Sequence, residues 1–192
     1  MIKNRSELND YKHADQLALN RKRSTWLVDS LKRSLFWEKI LVADYLNALR
    51  KMEYYTNIKR NVFQNIYYIF VIYRYKKLGF KIHVNIPINV VGPGLTIFHL
   101  GPITINSGVT IGHNCTLYPG VIIGENKFHD NVPTIGNNVF FAAGAKVFGK
   151  VKIGNNVVVG PNSVVIKDIP DNCVVSGVPA KIIKQDGIKI SD

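Results

Sequence analysis

The sequence is poor in the features that mark several protein classes. It has only two cysteines, Cys115 and Cys173, far apart and without metal-binding spacing, which excludes a disulfide scaffold and favours a reducing compartment. Its N-terminus has no apolar core of the secretory type. Its most apolar stretch, residues 62–73, is shorter than the roughly 20 residues that cross a bilayer. We therefore expect a cytoplasmic protein without a transmembrane segment, and peripheral membrane contact by this stretch stays open.

Acidic residues are scarce as well. The chain has 13 Asp and Glu against 25 Lys and Arg, and most of the excess in its net charge of +12 lies in residues 1–80. A basic surface suits an anionic partner such as a membrane face, a phosphorylated cofactor or an acidic glycan. No zinc-finger spacing, RNA-binding aromatic signature or basic helix-turn-helix pattern accompanies the charge, so we predict no nucleic-acid partner.

Proline and glycine are almost missing from residues 1–80, which hold no proline and one glycine, Gly79. The apolar spacing there predicts helices from Ser6 to about residue 19, from Ser24 onwards, over about 37–55, and over about 61–78 with Gly79 as the cap. We therefore expect an α-helical N-terminal domain (1–80), a β domain (81–170) and a C-terminal extension (171–192).

The second half repeats with a period of six. Apolar anchors recur at this spacing, with one double gap: Ile105, Ile111, Leu117, Ile123, Ile135, Phe141, Val147, Ile153, Val159 and Val165. A small or β-branched residue follows most anchors by four positions: Val109, Cys115, Val121, Val139, Ala145, Val151, Val157 and Ser163. This is the hexapeptide signature of a β-helix.

The period has a physical cause. Each hexad supplies one short strand and one turn, and three hexads close a triangular coil whose anchors point inwards. The small residue fits near a corner, where a bulky side chain would clash. Glycine and asparagine occupy the turns, where positive φ is often needed, as in Gly112, Gly136 and Asn137-Asn138. The sequence therefore predicts a parallel β-helix preceded by helices.

Three stretches carry a resemblance to a known family: GPGLTIFHLG, TIGNNVFFAAGAKVFGKVKIGNNVVVGPNSVVIKDIP and SGVPAKII. They resemble the serine acetyltransferase branch of the hexapeptide-repeat acyltransferases, over residues 84 to 183. Within the branch, the chain looks most like variants found with surface-polysaccharide genes. The resemblance implies left-handed winding, acetyl-CoA as co-substrate, and a homotrimer or dimer of trimers with the cofactor between neighbouring β-helices.

The resemblance also implies roles for individual residues. His99, in Phe98-His99-Leu100-Gly101, falls on the position of the general base, and imidazole titrates near working pH. The implied acetyl-CoA contacts are backbone and small side chains, with two lysines for the CoA phosphates and the C-terminal extension closing the site: Ala143, Gly144, Gly160, Pro161, Lys167, Pro179 and Lys181.

The acceptor side departs from the branch. Asn85 and Phe98 stand where serine acetyltransferases have aspartates. Residues 130–133 read Asp-Asn-Val-Pro instead of Asp-Arg-His-Pro, which removes the arginine expected to meet the serine carboxylate. The candidate acceptor-binding residues are Asn85, Phe98, His129 and Asp130. No carboxylate accompanies His99 in the sequence.

These observations predict an acetyl-CoA-dependent O-acetyltransferase that acts on a sugar hydroxyl of a cell-surface polysaccharide or its precursor. His99 is the predicted base, and His129 or Asp130 orients the acceptor. L-serine O-acetylation for cysteine synthesis is the alternative prediction, and a non-catalytic trimeric scaffold is a third hypothesis. His99, His113 and His129 lack the close histidine pair of the zinc-binding β-helix carbonic anhydrases, so we predict no metal.

Overall fold

The computed structural model describes residues 1–20, 26–35, 37–127 and 131–190. Within these residues, helices come first and short strands follow. The helices are α1 (Arg5–Ala18), α2 (Trp26–Ser34), α3 (Glu38–Asn57) and α4 (Val62–Ile82). The strands are β1 (Val84–Asn85), β2 (Thr96–Ile97), β3 (Ile103–Ile105), β4 (Thr110–Ile111), β5 (Thr116–Leu117), β6 (Ile122–Gly124), β7 (Thr134–Ile135), β8 (Phe140–Phe141), β9 (Lys146–Phe148), β10 (Lys152–Ile153), β11 (Val158–Val159), β12 (Val164–Val165), β13 (Cys173–Ser176), β14 (Lys181–Gln185) and β15 (Ile188–Lys189).

The starts of α1 and α4 follow local capping chemistry. The N-cap of α1 is Asn4, whose side-chain oxygen accepts from the Glu7 backbone N–H at 2.9 Å, so the start predicted at Ser6 is two residues late. Asn61, where we predicted that the last helix starts, is the N-cap of α4 and forms a capping box with Gln64. The start predicted at Ser24 lies outside the described residues.

Gly79 does not cap α4, and this prediction is wrong. The helix continues to Ile82 and ends at His83, which has φ of +58°. Gly79 is buried inside the helix, where a Cβ would lie 2.7 Å from the carbonyl oxygen of Val84 and 3.2 Å from Cε2 of Tyr45. Glycine is needed here because the first coil and α3 approach the helix closely, not because the helix ends.

The strands form a triangular prism, and within each of its three faces the stacked strands of successive coils run parallel. The five-stranded face has the order β1-β3-β6-β9-β12, and the three-stranded face has the order β4-β7-β10. The third face runs β2-β5-β8-β11-β13 and ends in the antiparallel hairpins of β14 and β15. Each coil contributes to the three faces in a fixed order, as the period of six predicts. On the three-stranded face, the first and last contributions are single bridges, from Val91 to Ile111 and from Ile153 to Ile169.

The predicted anchors form the core of the prism. All ten have at most 3% of their surface exposed, and Ser163 at a small position is fully buried. The same hydrophobic cluster continues into the helices through Leu41, Tyr45, Leu49 and Ile82. Among the described helices, none is long and apolar enough to cross a membrane.

A buried ionic cluster ties the helices to the first coil. Arg50 of α3 is fully buried and its guanidinium contacts Asp15 at 2.8 Å and Glu53 at 3.0 Å. It also donates to the backbone carbonyls of Val91 and Gly92 at 2.8 and 2.7 Å. Burial alone lowers the pKa of Arg50, but Glu53 and Asp15 outweigh it and hold the pKa above its ordinary value. The guanidinium therefore stays charged and holds three parts of the chain together.

Turns stack into three edges of the prism, which we name by residues on them. The His99 edge contains residues 98–102, 118–120, 142–144, 160–162 and 177–180. The Lys167 edge contains residues 106–109, 125–127, 131–133, 149–151 and 166–168. The asparagine edge contains residues 112–114, 136–138, 154–156 and 170–172.

The asparagine edge is a hydrogen-bonded ladder. Asn114, Asn138, Asn156 and Asn172 each have φ between 55° and 57°, and each amide donates to the next one along the prism at 2.9 to 3.2 Å, the last to Asp186. The neighbouring glycines do not have the positive φ that we expected. A Cβ on Gly112 would instead lie 2.7 Å from the carbonyl of Gly136, so close stacking explains the glycine.

Candidate active site

His99 lies at the first step of the His99 edge, in the turn between β2 and β3. Its φ is +65°, and 64% of its side chain is exposed. Nδ1 lies 3.3 Å from Oε2 of Glu38, and Oε1 of Glu38 accepts from the Leu100 backbone N–H at 2.7 Å. The expectation that no carboxylate accompanies His99 is therefore wrong. The sequence did not reveal Glu38, because it lies far away in the chain at the first turn of α3.

Aromatic side chains form a wall beside the imidazole. Phe98, which is 40% exposed, stacks on Tyr118 with the ring centroids 5.2 Å apart and an interplanar angle of 27°. Tyr118 continues the row to Phe140 at 5.3 Å, and its edge-on contact with His99 spans 6.0 Å. Phe98 therefore presents an apolar ring in the position where the resemblance expects an aspartate.

Most of the predicted cofactor contacts share the edge of His99. The backbone N–H of Gly144 donates to Pro119 O, and that of Asn162 donates to Ala143 O, both at 2.9 Å, so successive turns stack in register. At about 4.8 Å per coil, two coils separate Ala143 from His99 and three separate Pro161, which corresponds to about 10 and 14 Å. The predicted residues on this edge are Ala143, Gly144, Gly160, Pro161 and Pro179.

Two lysines lie along the same edge. Lys181 begins β14, directly after the last turn of the His99 edge, and is exposed. Lys146 on β9 donates from Nζ to the carbonyl oxygen of Gly144 at 3.0 Å. We did not predict Lys146, although its position directly after the small residue of its hexad places it next to the turn. The edge thus has a cation at mid-height and another at its C-terminal end.

The remaining predicted residues lie elsewhere on the prism. Lys167 lies on the Lys167 edge, as do the described ends of the loop between β6 and β7. His129 and Asp130 lie outside the described residues. In the same loop, Asn131 is half-buried and Val132 packs against the hydrophobic core. Within one chain, Lys167 is therefore on a different edge from His99.

Asn85 is exposed on β1 and lines a groove of about 390 Å³ between α4 and the first coil. The other described residues lining the groove come mainly from the end of α4 and the turn after it: Tyr75, Lys76, Gly79, Phe80, His83 and Val84. His99 is not among the described residues that line this groove, and the role of Asn85 in acceptor binding stays a prediction.

Comparisons with known proteins support this architecture. Residues 133–167 match the family model of the bacterial transferase hexapeptide (six repeats). The chain is 43% identical over 117 residues to a serine acetyltransferase of Staphylococcus aureus, covering 58% of this chain and 52% of the relative. It is 38% identical to a serine acetyltransferase of Synechococcus elongatus, covering 58% of this chain and 46% of that one. The chain spans about half the length of the curated relatives it matches.

Solved structures match over nearly the whole chain. Serine acetyltransferase from Neisseria gonorrhoeae superposes with a TM-score of 0.66 at 22% identity, covering 97% of this chain and 69% of that one. The soybean apoenzyme gives a TM-score of 0.66 at 21% identity, covering 93% and 69%. A serine acetyltransferase solved in complex with CoA gives 0.66 at 20% identity, covering 93% and 71%. The chain therefore has the fold of the serine acetyltransferases, a left-handed parallel β-helix of hexapeptide repeats preceded by helices.

Proposed function

We propose that this protein is an acetyl-CoA-dependent O-acetyltransferase with His99 as the general base. The observation that carries the proposal is the alignment of His99 with the predicted cofactor contacts along one edge of the prism. Turns rich in small residues on this edge leave room for an extended ligand beside the coils, from the imidazole to Lys181. The similarity to serine acetyltransferases in sequence and fold supports the same reaction class.

The chemistry follows from the orientation of His99. With Nδ1 directed at Glu38, Nε2 is the nitrogen available to a substrate. Nε2 takes the proton of the acceptor hydroxyl as the oxygen attacks the thioester carbonyl carbon. The C–S bond then breaks, the acetyl ester forms, and the proton passes from the imidazolium to the CoA thiolate. The products are the acetylated acceptor and free CoA, and His99 returns to its neutral form.

The positions of Lys146 and Lys181 support binding of an anionic cofactor on this edge. CoA carries phosphate groups, and the ammonium groups of lysines contribute to phosphate binding as point charges. Lys167 lies on the adjacent edge, so it serves the same cofactor only if another subunit presents it. We therefore include a homotrimer in the proposal, in which the Lys167 edge of one chain packs beside the His99 edge of its neighbour.

The acceptor that the comparisons support best is L-serine, because the curated relatives are named serine acetyltransferases. They favour our alternative prediction over the sugar hydroxyl. L-serine is therefore the first acceptor to test. A trimer would bring the loop between β6 and β7 of a neighbouring chain towards His99. The amino and carboxylate groups of L-serine need charged partners, either from that loop or from Glu38.

One observation keeps a sugar as the second candidate. Phe98 offers an exposed aromatic ring next to the base, and aromatic rings stack on the C–H faces of pyranose rings. Asn131 and Val132 also stand where the resemblance expects the arginine and histidine of the loop. A neutral, ring-shaped acceptor fits these side chains better than a zwitterion does.

Release of free thiol from acetyl-CoA tests the proposal, with L-serine and a panel of sugars and oligosaccharides as acceptors. His99→Ala should reduce turnover by about 10²- to 10⁴-fold. His113→Ala is the matched control, because His113 is an exposed histidine on the asparagine edge and should leave turnover unchanged. Full activity of His99→Ala would remove His99 as the base.

The acceptor panel separates the remaining alternatives. Turnover with serine and none with sugars would establish L-serine O-acetylation. It would also refute the interpretation that Phe98 and Asn131 fit a sugar acceptor. Turnover with a glycan and none with serine would establish the sugar acceptor. A folded trimer with no transfer to any acceptor, and no binding of CoA by calorimetry, would favour the non-catalytic scaffold.

A further inference from the structure

We propose that Glu38, from the helical N-terminal region, is the positioning residue of His99 and fixes its reactive tautomer. The inference rests on the proposed function for its kinetic consequence, whereas the tautomer is a property of the protein that is measured separately. It gives the helical half a part in the active site, in addition to packing against the prism.

Both oxygens of Glu38 have a partner in the turn that carries His99. Oε2 contacts Nδ1 of the imidazole at 3.3 Å, and Oε1 accepts from the Leu100 backbone N–H at 2.7 Å. The second bond anchors the carboxylate to the backbone directly after the strained residue, since His99 has φ of +65°. The carboxylate therefore holds the ring of His99 and the peptide group that directly follows it.

The contact with Nδ1 determines which nitrogen is free to react. A carboxylate only accepts hydrogen bonds when ionised, so Nδ1 must carry the proton of the neutral imidazole. Nε2 is then unprotonated and able to accept a proton from a hydroxyl. The opposite tautomer would direct a lone pair at the carboxylate and block Nε2. Glu38 therefore selects the form of His99 that acts as a base.

The position of Glu38 in its helix suits a carboxylate that holds another residue in place. It lies in the first turn of α3, at the end of the helix where the dipole of the helix favours a nearby negative charge. The helix is long, and its middle is buried against the first coil and tied there by Arg50. The carboxylate is thus held in place by a rigid element and does not depend on a loop.

Glu38→Gln is the substitution that tests the tautomer. The amide oxygen of glutamine keeps the bond from the Leu100 N–H, but its NH₂ group then faces Nδ1. This makes Nδ1 an acceptor and moves the proton to Nε2. Long-range ¹H–¹⁵N NMR spectra of the imidazole nitrogens distinguish the two tautomers, with the His99 signals assigned by their loss in His99→Ala. We expect the Nδ1–H form in the native protein and the Nε2–H form in Glu38→Gln.

The kinetic test asks whether Glu38 acts through His99. Glu38→Gln should lower kcat by about 100-fold with little change in the KM for acetyl-CoA. Glu38→Asp, which keeps the charge on a shorter side chain, should recover part of this loss. In the His99→Ala background, Glu38→Gln should have no further effect. Glu7→Gln is the matched control, since Glu7 occupies the first turn of α1 and should change neither measurement.

The results distinguish a failure of the positioning role of Glu38 from a failure of the proposed function. An Nε2–H tautomer in the native protein, or additive losses in the double variant, would overturn the positioning role even if the protein is a fully active transferase. A rise in the KM for serine with unchanged kcat would overturn it too, and would make Glu38 an acceptor-binding residue. The expected tautomers without any acetyl transfer would support the positioning role and refute the proposed function. Thermal unfolding midpoints within a few degrees of the native protein exclude a folding defect.

Discussion

The buried ionic cluster around Arg50 makes the stability of the fold depend on one side chain. We predict that Arg50→Met unfolds far more easily than the native protein. Methionine fills much of the same volume and leaves two carboxylates, on Asp15 and Glu53, buried without their counter-ion. The carbonyl oxygens of Val91 and Gly92 lose their donor in the same step.

The magnitude follows from the burial of the partners. Asp15 is 3% exposed and Glu53 is 2% exposed, so water cannot replace the guanidinium without opening the structure. Breaking a buried ion pair by removing one partner costs about 3–5 kcal/mol. Since native proteins are stable by about 5–15 kcal/mol, the free energy of unfolding should fall by a large fraction. At an m-value of about 3 kcal/mol/M, the urea midpoint should drop by more than about 1 M.

Urea unfolding followed by tryptophan fluorescence and by circular dichroism measures this loss. Both tryptophans, Trp26 and Trp37, lie in the helical half, so fluorescence reports that half while dichroism reports the whole chain. Arg74→Met is the matched control, because Arg74 is exposed on α4. Its effect should stay within about 0.5 kcal/mol. Equal midpoints for the two variants would refute the reasoning, as would a triple variant with Asp15→Asn and Glu53→Gln that regains no stability.

Three further predictions concern the β-helix. Phe141→Ala removes a fully buried anchor and should cost about 3–5 kcal/mol in urea unfolding, clearly more than the half-buried neighbour in Phe140→Ala. Asn138→Ala should lower the free energy of unfolding by about 1–3 kcal/mol, because φ of +55° strains alanine and two ladder hydrogen bonds are lost. Asn138→Gly should lower it by less, because glycine adopts this φ without strain. Burial raises the pKa of Cys115 to about 11, so thiol reagents at pH 8 should modify it only after unfolding; rapid modification of folded protein would contradict this.

The repeat could be predicted from the sequence because its information is local. The anchors recur every six residues, and this alone determines which side chains enter the prism, as the burial of Phe141 and Val147 confirms. Contacts between the halves could not be predicted in this way. Glu38 meets His99, and Arg50 meets Val91, only because of how α3 packs against the first coil.

Gly79 shows why a single glycine is a poor guide to where a helix ends. A glycine at the end of an apolar helical stretch normally indicates a cap, and here His83 takes the left-handed conformation instead. The reason for Gly79 lies in a long-range approach by Tyr45 and in the chain returning at Val84, neither of which the local pattern contains. The acceptor residues were assigned from a resemblance, and the role of Asn85 in acceptor binding stays a prediction.

The stacking of turns along the His99 edge sets the distances between the groups on it. Distances between groups on that edge change only in whole steps of about 4.8 Å, because a coil is either present or absent. Removing residues 134–151, one complete coil from β7 to the turn after β9, would bring Pro161 one step nearer to His99 while leaving the strand register of the remaining coils intact. The length of ligand that reaches from the imidazole to the C-terminal hairpin is therefore set by the number of coils between them.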